Sequence, residues 1–259
     1  MQAILFDIDG VLVQFGAAIP GAQATLEWVR RRNIPHAFIT NSTSVARSDL
    51  AARLAAAGLE IPVSSVLTPA VAAANWLLAH GLENVTLFVA DALQSDFSEV
   101  PIAAPGQEAL GAVVVGDLGE GWTFDVLNRI MRLLIQTPQP RLIALGMTRY
   151  WLHSEGPRLD LGPFVKALEF AGQTEALVLG KPSRDYFNVA LGWLGCAPGD
   201  VLMVGDDQYN DVGGARLAGM RTMLVRTGKY REGDLMRGPI ADIVLDSVAD
   251  LPAWWDKRL

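Results

Sequence analysis

The sequence is poor in cysteine, since Cys196 is the only one among 259 residues. A single cysteine cannot form an internal disulfide, and it cannot supply the several thiolates of a cysteine-rich zinc site. Such scarcity is typical of proteins in a reducing compartment. The composition therefore predicts a cytoplasmic protein that does not depend on disulfides.

Long hydrophobic runs and basic clusters are also missing. No apolar stretch in the sequence approaches the roughly 20 residues that a helix needs to cross a bilayer. The first apolar run reaches Asp7 after a few residues and has no basic segment before it, which is unlike a signal peptide. The formal net charge is −7, and lysine and arginine form no stripe. These absences argue against a membrane or a nucleic acid as a partner.

What the sequence does contain is a regular alternation of short apolar runs and longer amphipathic segments. Continuous apolar strands that alternate with helices predict an α/β fold with a doubly wound parallel sheet. Residues 98–111 lack either pattern and predict a loop. The predicted strands are 3–6, 36–40, 85–90, 111–116, 141–146, 175–180, 201–205, 221–225 and 242–245. The predicted helices are 22–32, 44–58, 68–81, 123–136, 163–171, 184–194, 211–218 and a terminal helix.

Polar side chains follow four of the predicted strands. Ligands of parallel α/β sheets bind beyond the carboxyl ends of the strands, so we expect these side chains to gather at one edge. They are Asp7 and Asp9 after the first strand, Thr40 and Asn41 after the second, Lys181 after 175–180, and Asp206, Asp207 and Asp211 after 201–205.

These residue types indicate phosphoryl transfer. Carboxylates on two strands, at Asp7 and Asp206, suit Mg²⁺, which prefers oxygen ligands and keeps a place for a substrate phosphate. Asp7 can itself attack phosphorus and form an aspartyl-phosphate. Lys181 and the Thr40 hydroxyl can bind the phosphoryl oxygens. Asp9 can protonate the leaving group and then deprotonate water.

Each of these residues also has a simpler interpretation when it is taken alone. An aspartate at a strand end more often caps a helix or lies in a loop, and Thr40-Asn41-Ser42 can cap the helix that follows. Lys181 alone indicates a surface lysine, and "GDDQYND" alone a turn rich in carboxylates. The conjunction of all four strand ends in this order favours the joint catalytic interpretation.

In this arrangement the sequence resembles the phosphatases of the haloacid dehalogenase (HAD) superfamily. "DIDGV" is similar to the first motif of that family, "ITN" to the second, "GKP" to the third and "VGDDQYND" to the fourth. The long insertion between the second and third motifs resembles the class IIA (NagD-like) cap. "GKPSRDYFNVAL", "VRTGKYREGD" and "LGMTRYW" resemble the phospholysine phosphohistidine inorganic pyrophosphate phosphatase branch.

The resemblance implies two domains and a role for each motif residue. A HAD-like Rossmannoid catalytic core would comprise residues 1–78 and 179–259, and residues 79–178 would form an inserted α/β cap, through which the protein could form a homodimer. Asp7 would be the nucleophile and a Mg²⁺ ligand, and Asp9 would be the acid/base, with its backbone carbonyl on the metal. Phosphate would be bound by Thr40, Asn41 and Lys181. Asp206 would be a metal ligand, and Asp211, or Asp207 as an alternative, would support metal-bound water or Lys181.

The cap would supply substrate contacts, and five residues are candidates. Arg149 could hold a second anionic group, and aromatic side chains could flank the leaving group, although packing is the more usual role of a tryptophan such as Trp151. The candidates are Asp117, Arg149, Tyr150, Trp151 and Asp160.

The leading hypothesis is a Mg²⁺-dependent phosphatase that hydrolyses a small phosphorylated metabolite, with an N–P bond or pyrophosphate as candidate substrates. A phospho-accepting signalling module is an alternative, but in such modules the phosphorylated aspartate follows a later strand. A catalytically idle binding protein on the same fold is a third hypothesis. It is disfavoured because all four motif positions are filled. The fold and motifs do not predict the physiological substrate, because specificity lies in cap side chains.

Overall fold

A computed structural model describes residues 1–257 except 105, 107–109, 154, 234, 235 and 237, and for 151–153 it describes the backbone only. The chain divides into two compact units. Unit 1 comprises Met1–Thr40, Arg47–Leu67 and Lys181–Leu259, and unit 2 comprises Asn41–Ala46 and Thr68–Gly180. Unit 2 thus includes 68–78, which the sequence assigned to the core; the predicted domain division stays a prediction.

Unit 1 is built on a parallel sheet of six strands, in the order β14-β13-β12-β1-β4-β5. The strands are β1 (Ala3–Asp7), β4 (His36–Ile39), β5 (Val66–Leu67), β12 (Val201–Gly205), β13 (Arg221–Val225) and β14 (Ile243–Leu245). The helices of this unit are α1 (Ala22–Arg31), α2 (Arg47–Ala56), α6 (Arg184–Leu194), α7 (Gly214–Leu217) and α8 (Leu251–Asp256).

The strand order of unit 1 reverses at β1. From β1 the chain continues outward to β4 and β5, and it later returns to β12 on the other side of β1 before it continues outward to β13 and β14. Right-handed crossovers therefore place α1 and α2 on one face of the sheet, and α6 and α7 on the other. Both central strands are completely buried, as their unbroken apolar sequences predict. The carboxyl end of β1 is thus the switch point at which such sheets bind ligands.

A short hairpin follows β1 in unit 1. Its strands, β2 (Val13–Gln14) and β3 (Ala17–Ala18), are antiparallel and are joined by Phe15 and Gly16. Both joining residues have positive φ angles, 52° and 79°, as a type I′ turn requires. The Phe15 side chain is fully exposed. The sequence did not predict this hairpin.

Unit 2 contains a second parallel sheet, in the order β11-β8-β7-β6, and an antiparallel pair, β9 with β10. The strands are β6 (Val85–Phe88), β7 (Ala112–Val115), β8 (Arg141–Ala144), β9 (Tyr150–His153), β10 (Gly156–Leu159) and β11 (Leu177–Val178). The helices are α3 (Pro69–Ala79), α4 (Phe124–Leu134) and α5 (Leu161–Gly172). Each of these helices is capped by a side-chain oxygen, from Thr68, Thr123 and Asp160 respectively.

The α/β class with parallel sheets is confirmed, and besides the hairpin the predicted elements differ from the observed ones in several places. Helix α2 begins three residues later than predicted, and the sequence missed β5 and the β9–β10 pair. The predicted helix 211–218 is a π-helix over Gln208–Gly213 followed by the short α7. The predicted loop 98–111 lies partly outside the described residues. Among the helices that the structure describes, each is too short or too polar to cross a membrane.

Candidate active site

Three strand ends of unit 1 and Lys181 come together at the switch point. Strand β1 pairs with β4 on one side, with Asp7 opposite Ile39, and with β12 on the other, with Phe6 opposite Val204. Asp7 therefore ends the central strand, while Thr40 and Asp206 follow the ends of its two neighbours. Lys181 extends into the same place from the segment before α6.

Lys181 is buried between two carboxylates. Its Nζ lies 2.7 Å from Oδ1 of Asp7 and 2.7 Å from Oδ1 of Asp211. Lys181 itself is 5% exposed, Asp7 4% and Asp211 0%. A buried ammonium is retained only when it is paired and hydrogen-bonded. The sequence prediction of a surface lysine, which Lys181 alone would have suggested, is therefore wrong.

Asp211 is held from both sides. Its Oδ1 accepts the hydrogen bond from Lys181, and its Oδ2 accepts from the backbone N–H groups of Asp206 (3.2 Å) and Asp207 (3.0 Å). A Cβ on Gly205 would lie 2.3 Å from Cβ of Asp211, so the strand end must be a glycine for the carboxylate to fit. Asp211 thus ties the end of β12 to Lys181.

Asp207 points to a different partner. It caps the π-helix, since its Oδ1 accepts from the N–H groups of Tyr209 and Asn210, and its Oδ2 lies 3.4 Å from Nζ of Lys229. Burial alone would raise the pKa of Asp207, but the bonds from Asn210 and the charge of Lys229 lower it below its ordinary value. Of the two acids that the sequence left open, Asp211 is therefore the one that contacts Lys181.

Asp206 lies in a narrow space formed by two glycines. A Cβ on Gly10 or on Gly228 would lie 2.0 Å from Oδ2 of Asp206. The same Oδ2 accepts a 2.6 Å hydrogen bond from the backbone N–H of Lys229. The other oxygen, Oδ1, is buried and has no hydrogen-bond partner among the described residues. A buried carboxylate oxygen without a donor is costly, so this atom is suited to bind a cation.

Burial shifts the pKa of the acids at this site upward. It raises the pKa of Asp7 to about 6 against the opposing effect of Lys181, and that of Asp206 to about 6 with a contribution from Asp211. The pKa of Asp211 rises to about 7, from burial and from the charge of Asp7. Burial alone would lower the pKa of Lys181, but Asp211 and Asp7 raise it. The site therefore holds more negative charge than Lys181 can balance.

These residues fit a divalent cation. Asp7, Asp206 and Asp211 each offer one oxygen, and the three oxygens lie within 4.8 Å of one another. Hard cations such as Mg²⁺ prefer carboxylate oxygens. Since both oxygens of Asp211 already accept hydrogen bonds, Asp206 with its unpartnered Oδ1 is the better direct ligand, together with Asp7.

The other predicted core residues lie close by in the chain. Thr40 is buried, and its N–H donates to the Leu67 carbonyl while its own carbonyl accepts from the Tyr186 hydroxyl. Asp9 is exposed, in contrast to Asp7, on the loop that leads to β2. Asn41 follows Thr40 directly and is half-buried as the first residue of unit 2.

Sequence reasoning missed several residues that shape this site. Gly228 and Lys229 follow β13, so they stand at a fifth strand end that the strand-end argument could have included. The Thr227 hydroxyl beside them donates to the Gly10 carbonyl, which links the two glycine segments around Asp206. The sequence did not indicate a role for Tyr186, because an aromatic residue on an amphipathic helix usually packs in the core.

Three of the predicted substrate contacts lie near the strand ends of the unit 2 sheet. Asp117 follows β7 and accepts from the N–H of Gly119, while Asp160 caps α5. Burial, with a smaller effect of Asp117, raises the pKa of Asp160. Arg149 is exposed, and its carbonyl accepts from the N–H of Asp160. Tyr150 is also exposed, and the side chain of Trp151 lies outside the described residues.

Comparison with known proteins gives consistent matches over most of the chain. A family described as haloacid dehalogenase-like hydrolase matches residues 4–103, and a second, HAD-hydrolase-like family matches residues 178–251. The phospholysine phosphohistidine inorganic pyrophosphate phosphatase of Bos taurus is 36% identical over 96% of this chain and 92% of its own. The haloacid dehalogenase-like hydrolase domain-containing protein 2 of Bos taurus is 39% identical over 90% and 87%.

A solved structure resembles the chain as well. NagD from E. coli K-12 superimposes with a TM-score of 0.85 at 25% identity, covering 96% of this chain and 98% of its own. The family matches cover the segments that carry the four motifs, and the structural match extends through the insertion between them.

Proposed function

This chain belongs to the haloacid dehalogenase superfamily as a class IIA phosphatase, and on that premise we propose that it hydrolyses small phosphorylated metabolites with Mg²⁺ as cofactor. The observation that carries the proposal is the buried Lys181 held between Asp7 and Asp211, beside the unpartnered oxygen of Asp206. This arrangement combines a nucleophile, a fixed positive charge and a cation ligand in one place.

Asp7 is the proposed nucleophile. Its Oδ1 accepts from Lys181 and from the N–H of Ile8, so Oδ2 is the oxygen that we assign to attack phosphorus. The bond from Asp7 to phosphorus forms as the bond from phosphorus to the leaving group breaks. A buried carboxylate is poorly solvated, and fewer water molecules have to be displaced before it attacks.

Asp9 is the proposed acid and base. It donates a proton to the departing oxygen or nitrogen and then removes a proton from the water that attacks the aspartyl-phosphate, which returns Asp7 and releases inorganic phosphate. Its exposure suits this role, because it leaves the Asp9 carboxylate accessible to water and to a leaving group.

Phosphate binding is assigned to Lys181, Thr40 and Asn41. Lys181 offsets the repulsion between Asp7 and an anionic phosphoryl group, the Thr40 hydroxyl donates to a phosphoryl oxygen, and the backbone at Asn41 contributes an N–H group. Mg²⁺ would be held by Asp7, Asp206 and the backbone carbonyl of Asp9, and when bound it would neutralise charge on the phosphoryl group. Asp211 fixes Lys181 in position.

The substrate class is proposed from the relatives. Because a relative at 36% identity is named for phospholysine, phosphohistidine and pyrophosphate, N–P bonds and pyrophosphate are the first candidates. Asp117 and Arg149 of unit 2 are the proposed selectors of the leaving group. Dimerisation through the proposed cap, residues 79–178, a cytoplasmic location and the absence of nucleic-acid and membrane partners stay predictions of the sequence.

The test is phosphate release from a panel of substrates with Mg²⁺ or with a chelator, using Asp7→Asn as the control variant. The panel includes phospholysine, phosphohistidine, pyrophosphate, sugar phosphates, nucleotides and pyridoxal phosphate. We expect Mg²⁺-dependent release that is lost in the folded variant. Undiminished turnover by Asp7→Asn would refute the nucleophile, and a stable phosphoprotein without release would favour the phospho-accepting alternative. If no substrate of the panel releases phosphate, the hypothesis of a binding protein is favoured.

A further inference from the structure

Tyr186 is a completely buried titratable group that the proposed chemistry does not use. It lies on α6, five residues after Lys181, and its hydroxyl oxygen is 2.8 Å from the carbonyl oxygen of Thr40 and 2.8 Å from that of Leu67. The phenol thus contacts the ends of two neighbouring strands, β4 and β5, at the edge where the candidate active site lies.

The Leu67 carbonyl has a second donor besides Tyr186. The Leu67 oxygen also accepts the backbone N–H of Thr40, at 3.3 Å. A hydroxyl has one proton, so it donates fully to one acceptor at a time or shares the proton between two. A hydrogen bond of this kind contributes about 0.5–1.5 kcal/mol to stability. The phenol therefore secures the Thr40 carbonyl at the point where the ladder between β4 and β5 ends.

Fixing this carbonyl has a consequence on the other side of the same peptide group. The peptide between Thr40 and Asn41 is planar, and in a trans peptide the C=O and N–H bonds point in opposite directions. A hydrogen bond that holds the Thr40 oxygen therefore also sets the direction of the Asn41 N–H. The proposed function assigns that N–H to a phosphoryl oxygen.

The phenol is suited to act as a permanent donor. Burial raises the pKa of Tyr186 well above its ordinary value, although the charge of Lys181 opposes the shift. The hydroxyl therefore keeps its proton throughout the range in which the carboxylates of the site titrate. Its position on α6 also connects the segment that carries Lys181 with the strand end that carries Thr40.

We propose that Tyr186 is a positioning residue, which orients the Thr40–Asn41 peptide so that its N–H can bind phosphate. The inference rests on the proposed function, since it needs a phosphate at this strand end. Tyr186 touches neither the phosphorus nor the leaving group and acts through the backbone of Thr40.

The experiment compares two variants that each remove one buried hydroxyl. Tyr186→Phe keeps the ring and its volume, so the variant is expected to fold. The matched control is Thr25→Val, which removes the 3.1 Å bond from a buried Thr25 hydroxyl to the Val248 carbonyl. Both variants should melt at lower temperature than the wild type, because each loses one hydrogen bond from a buried hydroxyl to a backbone carbonyl.

The decisive readout is the dissociation constant of inorganic phosphate in the presence of Mg²⁺, measured by calorimetry, because it does not depend on turnover. We expect it to rise about tenfold in Tyr186→Phe and to stay unchanged in Thr25→Val. Equal phosphate affinity in Tyr186→Phe and wild type would overturn the positioning role and leave the proposed function standing. Wild-type protein that binds phosphate but hydrolyses nothing would overturn the function alone, and a wild type that does neither would overturn both.

Discussion

Lys181 and Asp211 form a buried ion pair in which Nζ lies 2.7 Å from Oδ1. Removing one partner of such a pair leaves a buried charge uncompensated, which typically costs 3–5 kcal/mol. In Asp211→Asn, Lys181 would keep Asp7 as a partner, so we expect a loss near the lower end, about 3 kcal/mol in the free energy of unfolding from urea titrations. Turnover should fall at least about a hundredfold, because Lys181 loses its position.

The matched control for this prediction is Asp207→Asn. Asp207 caps the π-helix, and asparagine caps a helix about as well as aspartate does. Its ion pair with Lys229 is exposed on the lysine side and contributes little. We therefore expect less than about 1 kcal/mol of lost stability. An equal loss of stability in both variants would contradict the proposed role of Asp211 in holding Lys181.

Asp206 makes the metal-free protein less stable as the pH rises. Its pKa is about 6 in the folded state, above its ordinary value, so between about pH 4 and pH 6 the folded protein holds a proton that the unfolded chain has lost. Its contribution to stability is therefore complete below pH 4 and lost as the pH rises through 6. A shift of about two units corresponds to roughly 3 kcal/mol.

The measurement is urea unfolding of wild type and Asp206→Asn in chelator at pH 4 and pH 7. From pH 4 to pH 7 the free energy of unfolding of the variant should rise by roughly 3 kcal/mol relative to that of the wild type, because asparagine does not ionise. Added Mg²⁺ should then stabilise only the wild type, since a ligand stabilises the state that binds it. A constant difference between the two proteins at both pH values would contradict the prediction.

Alanine substitutions at Gly10 and Gly16 distinguish the effect of backbone strain from the effect of a steric clash with Asp206. Both have positive φ, 84° and 79°, so alanine is strained at either position by about 1–2 kcal/mol. A Cβ on Gly10 would overlap the Asp206 carboxylate, whereas one on Gly16 would meet nothing within 4 Å. We expect Gly10→Ala to abolish Mg²⁺-dependent phosphate release and Gly16→Ala to retain it. Calorimetric titration with Mg²⁺ should show the same contrast.

Phe15 occupies a turn position that its side chain disfavours. Type I′ turns prefer asparagine before glycine, and an exposed phenylalanine in this conformation gains no compensating burial. Phe15→Asn should therefore raise the free energy of unfolding by about 0.5–1 kcal/mol in urea titrations. A lower stability of this variant would mean that the ring makes a stabilising contact that its full exposure conceals.

Much of the site could be predicted because parallel strands bring their ends to one edge. That rule assigns Asp7, Asp206 and Asp211 to one place, and the structure brings them together. Lys181 follows β11, a strand of the other sheet, and joins them from the segment before α6. The catalytic roles stay predictions. The α/β class followed from the unbroken apolar runs, whereas strand order depends on tertiary pairing that no local pattern reports.

The residues that escaped prediction act through space or through the backbone. Gly10 and Gly228 matter because of how closely they approach Asp206, and Tyr186 because of where its hydroxyl points. The hairpin was missed because its turn, Phe15-Gly16, lacks the asparagine that usually marks a type I′ turn. A sequence pattern contains residue type and spacing, but it does not contain the distance between residues that lie far apart in the sequence or the direction of a side chain.

The pairing of β1 with β12 also bears on how the protein folds. Ala3 lies opposite Val201, so the central strand obtains its second neighbour only from residues near the other end of the sequence. Pairings between such distant segments slow folding, because a long loop must close before the contacts repay its entropy. During synthesis β1 and β4 emerge early, and we expect the other edge of β1 to stay open until β12 emerges. We expect the acidic pocket between β1 and β12 to form in that late step.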